Sequence, residues 1–247
     1  MNGLTSIVCN AGMSSGEPVT ASPQKPAPPS AELTPPCPDL RVNWLGRVGF
    51  REALDSQEAI VALKHANRSH PDIALLLEHD PVYTIGRTPD QSSLRGATHL
   101  PHPLFPINRG GQATYHGPGQ LVGYLLIDLR RFGQDLHRYL RWLEQLIIDL
   151  LVDHGLRAQS REGLTGVWIE DRKIASIGVG VRHWITMHGF ALNVGGDLMP
   201  FSYITPCGIS GVRMTSLEKE TGRSFSLIDV AGDFEKLVIR RIADLAG

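Results

Sequence analysis

The 247-residue sequence predicts a mixed α/β (α+β) fold, in which a largely antiparallel sheet is flanked by helices. Three strand-like runs, at 165–170, 173–181 and 185–194, follow one another without a helix between them. Strands joined this directly pair antiparallel, which argues against a doubly wound nucleotide-binding fold. The strongest helix signal precedes them, and the sheet is expected to be flanked by helices.

The first half of the domain is predicted from periodicity and turn signals. The expected elements are a strand at 42–45, a helix at 50–65 with Gln57 interrupting its apolar stripe, strands at 73–79 and 82–85, a loop-rich stretch at 86–102, and a buried strand within 120–129. The last of these is a continuous apolar run, which anchors the preceding loop on the core.

The second half begins with the predicted helix 135–154, which has an apolar face, Asp135 as a cap and Gly155 as a stop. Asp171 and Arg172 are expected to form the turn of a hairpin. Near the end, two capping-box patterns begin at Thr215 and Ser226, and Gly222 closes the first of the two helices that they predict.

Residues 1–40 hold eight of the seventeen prolines and contain neither an aromatic residue nor an arginine. Such a segment cannot bury enough apolar surface to offset the entropy of ordering, so a disordered tail is predicted there. Residues 41–247 are expected to form a single domain around one core.

Composition excludes several classes of function. A net charge of −1 and no polybasic tract argue against nucleic-acid binding. No run approaches the ~18 apolar residues of a membrane span, and no signal peptide or presequence is apparent, so a cytoplasmic location is expected. Cys207 is the only cysteine after residue 40, which excludes a disulfide framework in the predicted domain.

The loop 109–120 reads as a binding site. Gly110 and Gly111 can adopt backbone angles closed to other residues and leave room for a ligand against their N–H groups. Arg109, Thr114 and His116 add donors and a titratable ring. A glycine-rich turn is the alternative, although a simple turn requires neither the arginine nor the histidine.

Lys173 and Cys207 are the candidate reactive pair. Cys207 stands between Pro206 and Gly208, on a constrained turn. A thiol has a pKa near ~8.5 and becomes a good nucleophile when a cation stabilises its thiolate, which a lysine can do while also moving protons. Taken singly, the cysteine is more often a buried apolar residue, the lysine solvated and His116 a packed ring, so the combination carries the interpretation.

Four blocks of the sequence resemble the signature blocks of the octanoyltransferases of lipoate biosynthesis. They are RGGQATYHGPGQL at 109–121, GVWIEDRKIASIGV at 166–179, HGFALNV at 188–194 and PCGI at 206–209. The resemblance extends over about 42–217. It implies the fold shared by biotin and lipoate protein ligases, and no cofactor.

The resemblance also implies an acyltransferase that moves an octanoyl or lipoyl group from acyl carrier protein to a lysine of lipoyl domains. Those domains belong to 2-oxoacid dehydrogenase complexes and to the glycine cleavage H protein. It assigns Cys207 as the nucleophile that carries the acyl thioester and Lys173 as its activating partner. It assigns acyl and carbonyl binding to Arg109, Gly110, Gly111, Gln112, Ala113, Thr114, Tyr115, His116, Ser176, Ile177, Gly178, Gly189, Phe190 and Ala191.

Three alternatives remain open on the sequence. An ATP-dependent lipoate or biotin protein ligase would share the fold, but it needs phosphate-binding residues and no cysteine. A non-catalytic metal-binding protein could use His99 and His102, the one pair with ligand-like spacing. A carrier-binding module with an inactive site would not need both Lys173 and Cys207.

A basic patch is expected to meet the acidic surface of the carrier protein. Its candidates are Arg130, Arg131, Arg138 and Arg141, with Asp135 the only acid among them. A solvated helix face explains the same charges equally well.

Overall fold

The computed structural model describes residues 39–95 and 100–246. The tail predicted for residues 1–40 therefore lies outside the described residues, apart from its last two. The strands are β1 (Leu40–Val48), β2 (Asp72–His79), β3 (Val82–Ile85), β4 (Leu104–Pro106), β5 (Thr114–His116), β6 (Gln120–Leu126), β7 (Gln159–Arg161), β8 (Leu164–Ile169), β9 (Arg172–Arg182), β10 (Ile185–Asn193) and β11 (Arg213–Met214). The α-helices are α1 (Phe50–Ala66), α2 (Leu136–Asp153), α3 (Leu217–Thr221) and α4 (Leu227–Arg241).

An eight-stranded sheet forms the centre of the fold, in the order β1-β2-β6-β10-β9-β8-β7, with β11 beside β9. The predicted antiparallel pairing of β8, β9 and β10 is confirmed, and β6 joins the same antiparallel block. β1 and β2 are parallel because α1 connects them as a crossover. A separate small sheet has the order β4-β3-β5.

Helices cover both faces of the large sheet, as predicted. α2 and α4 pack on one face around a core that includes Leu143, Ile147 and Phe234, all of them buried. The indole N–H of Trp142 donates to the Arg241 carbonyl at 3.0 Å and ties the two helices together. α1 packs on the other face, so the sheet is covered on both sides, like the centre of an α/β protein.

Gln57, which interrupts the apolar stripe of α1, is fully buried. Its side-chain oxygen accepts the backbone N–H of His188 at 2.7 Å. The interruption of the stripe therefore marks a polar contact between α1 and β10, close to the point where β10 contributes to the cavity described below.

Two local predictions were wrong by one residue. The turn between β8 and β9 is made by Glu170 and Asp171, because Arg172 already pairs with Ile169 in the ladder. α3 is capped by Ser216 rather than Thr215: the Ser216 hydroxyl accepts from the backbone N–H three residues on. The capping-box pattern selected Thr215 because Glu218 lies three residues after it, but the Thr215 hydroxyl donates to Glu220 and the Glu218 carboxylate accepts the Phe225 N–H instead.

Other predicted helix ends are confirmed. The side chain of Asp135 accepts the Arg138 N–H and caps α2, and Gly222 closes α3 in the left-handed conformation. α4 starts after Ser226 as predicted, although its hydroxyl makes no capping hydrogen bond. Within residues 39–95 and 100–246, no helix is long and apolar enough to cross a membrane.

Candidate active site

A partly open cavity lies between the large sheet and the small one. β9 and β10 contribute its floor through the paired segments 176–178 and 189–191. β5 of the small sheet contributes Thr114 and His116, and Cys207 completes the wall. The sequence blocks 109–121, 166–179 and 188–194 thus meet at one site, and the fourth block, 206–209, supplies Cys207.

Cys207 is held in an unusual backbone conformation. It lies in the short turn Pro206–Gly208 with φ 55° and ψ 18°, in the left-handed region that non-glycine residues rarely adopt. Its N–H donates to the Ala113 carbonyl at 2.9 Å, and the Thr205 N–H donates to the Ser93 carbonyl at 2.7 Å. Strain of this kind persists only where surrounding contacts fix it, and it is concentrated at functional sites.

Lys173, at the start of β9, is fully buried and reaches the cysteine. Its Nζ lies 3.2 Å from the Cys207 sulfur and donates to the Thr165 carbonyl at 3.0 Å. The Trp168 ring centre is 5.2 Å from Nζ, within the range of a cation–π interaction. Ser176 Oγ lies 3.7 Å from the sulfur. The arrangement can stabilise a thiolate and move a proton at the sulfur.

Arg109 is a buried cation in the same wall. Its guanidinium donates to the carbonyls of Gly110, Thr84 and Gln112 and to the Thr84 hydroxyl, at 2.9 to 3.2 Å. Gly178 makes room for it, since a Cβ there would lie 2.9 Å from Arg109 Cδ. Burial lowers the pKa of Arg109, while the nearby Cys207 opposes that shift. In the described part of the chain no carboxylate forms an ion pair with it.

His116 is held neutral and in one tautomer. Its Nδ1 lies 2.8 Å from Gln120 Oε1, while Gln120 Nε2 donates to Asn193 Oδ1 at 2.9 Å. Because an amide oxygen can only accept, the hydrogen-bond network assigns the proton to Nδ1. Burial, and next the charge of His79, lower the pKa of His116 to about 3. A ring this weakly basic is a poor general base, and its Nε2 faces the Thr84 hydroxyl at 3.5 Å as a hydrogen-bond acceptor.

Not all of the loop N–H groups predicted to bind a carbonyl are available. In the loop 109–120, the N–H groups of Gly110 and Ala113 are already bonded within the fold, as is that of Cys207. Two buried atoms on the cavity wall, Thr114 Oγ1 and His188 Nε2, have no hydrogen-bond partner among the described residues. The Thr114 hydroxyl is therefore free to donate a hydrogen bond to a substrate oxygen, whereas the neutral His188 ring donates to the Asn108 backbone and its Nε2 can only accept.

The structure brings most of the predicted site residues to the cavity. Those on its wall are Arg109, Thr114, His116, Ser176, Ile177, Gly178, Gly189, Phe190, Ala191 and Cys207. Gly110, Gly111, Gln112, Ala113 and Tyr115 do not line it: Gly110 and Gly111 are exposed, and the Tyr115 side chain packs in a separate apolar cluster with Tyr83 and Phe201. These five residues shape the loop rather than face the cavity.

Four wall residues were not predicted: Phe50, Ile107, Tyr124 and His188. Two of them could have been found from the sequence: Tyr124 is the one residue with a hydroxyl in the apolar run 121–127, and His188 is the first residue of the block HGFALNV. Phe50 and Ile107 had no such signal, since each reads as an ordinary core residue. His188 has a φ of 60°, and burial followed by the charge of Arg109 lowers its pKa to about 4.

The four arginines of the predicted basic patch each contact an acid or a carbonyl. The contacts are Arg130 with Asp128, Arg131 with Asp72, Arg141 with Glu144, and Arg138 with the Asp244 carbonyl. Asp128 and Glu144 offset two of these charges, and Arg131 shares Asp72 with the buried Lys64, so the patch presents less free charge to an acidic carrier than the sequence suggests.

The metal alternative concerned His99 and His102. His99 lies outside the described residues, and the His102 ring packs 6.1 Å from the Tyr83 ring. Among residues 39–95 and 100–246, no group of three or more His, Cys, Asp or Glu side chains is arranged to hold a metal ion.

Residues 50–237 match the family described as the lipoyl protein ligase A/B catalytic domain. The octanoyltransferase of Geobacter sulfurreducens is 50% identical over 190 residues, which cover 77% of this chain and 79% of that protein. The octanoyltransferase of Geotalea uraniireducens is 51% identical over 191 residues, covering 77% and 87%.

Solved structures with the same architecture include lipoate-protein ligase A bound with ATP (TM-score 0.63, 15% identity, covering 83% of this chain and 86% of that one). The biotin protein ligase of Aquifex aeolicus has a TM-score of 0.50 at 15% identity, covering 83% and 70%. At these identities the likeness establishes the fold alone, and it confirms the predicted one. Since the family match extends over most of the chain and two octanoyltransferases share half of its aligned residues, the chain belongs to the lipoyl protein ligase A/B catalytic-domain family and, within it, to the octanoyltransferases, which are acyltransferases.

Proposed function

We propose that this enzyme transfers an octanoyl or lipoyl group from acyl carrier protein to a lysine of lipoyl domains, through a thioester on Cys207. The observation that carries the proposal is the 3.2 Å separation between Lys173 Nζ and the sulfur of Cys207, which lines the cavity. A buried cation beside a thiol favours the thiolate, which is the nucleophilic form.

In the first half-reaction, the Cys207 thiolate attacks the carbonyl carbon of the donor thioester. The tetrahedral intermediate collapses by breaking the bond to the pantetheine sulfur, and the Lys173 ammonium gives that sulfur its proton. An octanoyl thioester on Cys207 and a neutral Lys173 amine remain. Exchange of one thioester for another is nearly neutral in free energy, so this step needs no nucleotide.

In the second half-reaction, a neutral lysine amine of the acceptor attacks the thioester on Cys207. The Lys173 amine takes the proton that the attacking nitrogen loses, and Cys207 leaves as a thiolate. An amide has formed and the starting ammonium and thiolate are restored. The overall reaction is downhill because an amide is more stable than a thioester.

Lipoyl domains are the proposed acceptors, in particular those of 2-oxoacid dehydrogenase complexes and the glycine cleavage H protein. A neighbour with the same fold, the bipartite lipoate protein ligase of Thermoplasma acidophilum, was studied with its E2 lipoyl domain, at a TM-score of 0.60 and 17% identity. This supports a lipoyl domain as the acceptor here.

The intact mass of the protein, measured after incubation with octanoyl carrier protein and without ATP, tests the proposed function. One added octanoyl group that disappears when a lipoyl domain is supplied is the expected result. An ATP-dependent ligase would instead show no adduct and would transfer octanoate only when ATP is present.

Thr114 is expected to bind the carbonyl oxygen of the substrate, because its buried hydroxyl has no partner in the described residues. Thr114→Val keeps the shape and removes the donor. We expect acyl-enzyme formation to slow by about 100-fold, which is the low end of the cost of removing one oxyanion donor. Rapid-quench measurement of the acyl-enzyme checks this, and Thr114→Ser, which keeps a hydroxyl, should recover most of the rate.

Phe50 is expected to limit the length of the acyl chain. The cavity has a volume of about 40 Å³, so an acyl chain must displace part of its wall. Phe50 also borders an open groove of about 770 Å³. Cys207 lies beside β9, whereas Phe50 packs on His79 at the end of β2, with ring centres 5.4 Å apart. Three interstrand spacings, about 14 Å, therefore separate the Cys207 end of the cavity from its Phe50 end.

Phe50→Ala should therefore join the cavity to the groove. We expect the rate of acyl-enzyme formation with a dodecanoyl donor, relative to an octanoyl donor, to rise at least about tenfold. Ile177→Ala is the matched control, because Ile177 lines the cavity but not the groove. An equal rise in both variants would mean that the total volume of the cavity, not its Phe50 end, sets the chain length.

A further inference from the structure

Glu144 is a buried carboxylate that lies behind Lys173. It belongs to α2, where its side chain is 1% exposed. Its Oε1 accepts the backbone N–H of Gly166 at 2.8 Å. Burial of a carboxylate is costly unless hydrogen bonds or charges compensate for it. A buried acid on the core side of a helix therefore calls for an explanation.

Gly166 lies at an irregular point of β8. The pairing of β8 with β9 shifts register between Val167 and Trp168, and Gly166 has a φ of 128°. Its N–H is consequently satisfied by the Glu144 side chain, from a helix that packs on the sheet. The carboxylate thus fixes the backbone at a position where the strand is irregular.

The backbone at 165–166 also forms the surroundings of the Lys173 side chain. A Cβ on Gly166 would lie 2.6 Å from Lys173 Cε, so the glycine is in close contact with the lysine stem. The carbonyl of Thr165 accepts from Lys173 Nζ at 3.0 Å. The contacts therefore continue from Glu144 through Gly166 and Thr165 to the lysine, and then to Cys207.

Charge supports the same connection. Burial raises the pKa of Glu144, against the opposing effects of the Gly166 N–H, Arg141 and Lys173. Arg141 Nη1 lies 2.7 Å from Glu144 Oε2, on the outer side of the carboxylate. The charged groups that act on Glu144 are thus the exposed Arg141 and Lys173.

We propose that Glu144 is a positioning residue for Lys173. It holds the backbone at 165–166 so that the Thr165 carbonyl directs the ammonium toward the Cys207 sulfur. The inference rests on the role proposed for Lys173, and it assigns Glu144 no contact with substrate. Residues that support a reactive group in this way commonly cost 10- to 100-fold in activity when they are replaced, as at metal sites.

The test compares Glu144→Gln with Glu144→Leu in the full chain. Glutamine keeps an oxygen that can accept the Gly166 N–H, and the exposed Arg141 can turn away from the new amide. Leucine fills the space without an acceptor. We expect acyl-enzyme formation to fall about 10- to 100-fold in Glu144→Leu and to stay within about threefold of the unmodified protein in Glu144→Gln, with the KM for the carrier unchanged in both.

A second readout does not depend on octanoyl transfer. Alkylation of Cys207 by iodoacetamide at fixed pH, followed by peptide mass mapping that separates Cys9 and Cys37, reports thiolate reactivity alone. It should be slower in Glu144→Leu and nearly normal in Glu144→Gln. Asp153→Leu is the control, since it removes an exposed acid from the last residue of α2.

Two results would overturn the proposal. Normal alkylation and acylation in Glu144→Leu would show that Lys173 needs no support from the carboxylate. Equal loss in the Gln and Leu variants would show that the charge of Glu144, not its hydrogen bond, is what matters. If Glu144→Leu does not fold, Glu144→Met provides the same comparison. Failure of the unmodified protein to form an acyl-enzyme would instead contradict the proposed function, while the alkylation results would still test Glu144.

Discussion

Cys207→Ala is expected to abolish the acyl-enzyme and to lower octanoyl transfer by at least about 10³-fold, which is typical of the loss of a catalytic nucleophile. The sulfur is the atom that Lys173 Nζ faces at 3.2 Å, and its backbone conformation aims it at the cavity. The measurements are intact mass after exposure to octanoyl carrier protein and the initial rate of lipoyl-domain octanoylation.

Cys207→Ser is the comparison variant for Cys207→Ala. A hydroxyl occupies nearly the same place, but its proton is far harder to remove than that of a thiol, so little or no stable acyl-enzyme should form. Equal melting temperatures for the two variants would show that any loss of activity lies in the chemistry. Near-normal transfer by Cys207→Ala would contradict covalent catalysis, and direct attack by the acceptor amine would have to replace it.

Local patterns predicted the elements well where one physical signal dominated. Asp135, the apolar face of the helix that follows it and Gly155 fixed α2 to within a residue at either end. The continuous apolar run after residue 120 predicted β6 because a strand covered on both faces needs no polar side. Ser216 was missed because only Thr215 has a glutamate three residues on, and in the fold that glutamate accepts the Phe225 N–H rather than closing a capping box.

The site could be predicted only in part, because it depends on contacts between distant segments. Lys173 and Cys207 are 34 residues apart, and nothing in their spacing requires the 3.2 Å contact. Their pairing was expected from resemblance and chemistry. Glu144 could not be found in this way: in sequence it is one polar residue of an amphipathic helix, and only the fold shows that it faces Gly166.

The lowered pKa of His116 could not be predicted from the sequence. His116 was predicted to line the site and does lie on the cavity wall, but its pKa depends on burial and on groups that are distant in sequence. The nearby His79 belongs to β2, and its ring centre lies 5.9 Å from that of His116. With a pKa lowered to about 3, His116 is neutral at physiological pH. It is therefore suited to accept a hydrogen bond and unsuited to remove a proton.

Lys173 should be nearly as indispensable as Cys207, and its two functions can be separated. Lys173→Met keeps the length of the stem and removes the charge, so both the alkylation of Cys207 and the formation of the acyl-enzyme should fall steeply, by at least about 10²-fold. Lys173→Arg keeps a cation but cannot give up its proton at neutral pH. The close approach of Gly166 also leaves little space for a guanidinium.

Single-turnover kinetics distinguish the two roles of the lysine. If Lys173 supplies both charge and proton transfer, Lys173→Arg should retain part of the Cys207 alkylation rate yet fail to pass the acyl group to a lipoyl domain. His116→Ala, the comparison within the same cavity, should be impaired less than either lysine variant, because a neutral ring only orients the substrate. Full activity of Lys173→Arg would contradict this division: the lysine would then supply charge alone. A proton acceptor would have to be sought elsewhere, and the low basicity of His116 makes that ring a poor substitute.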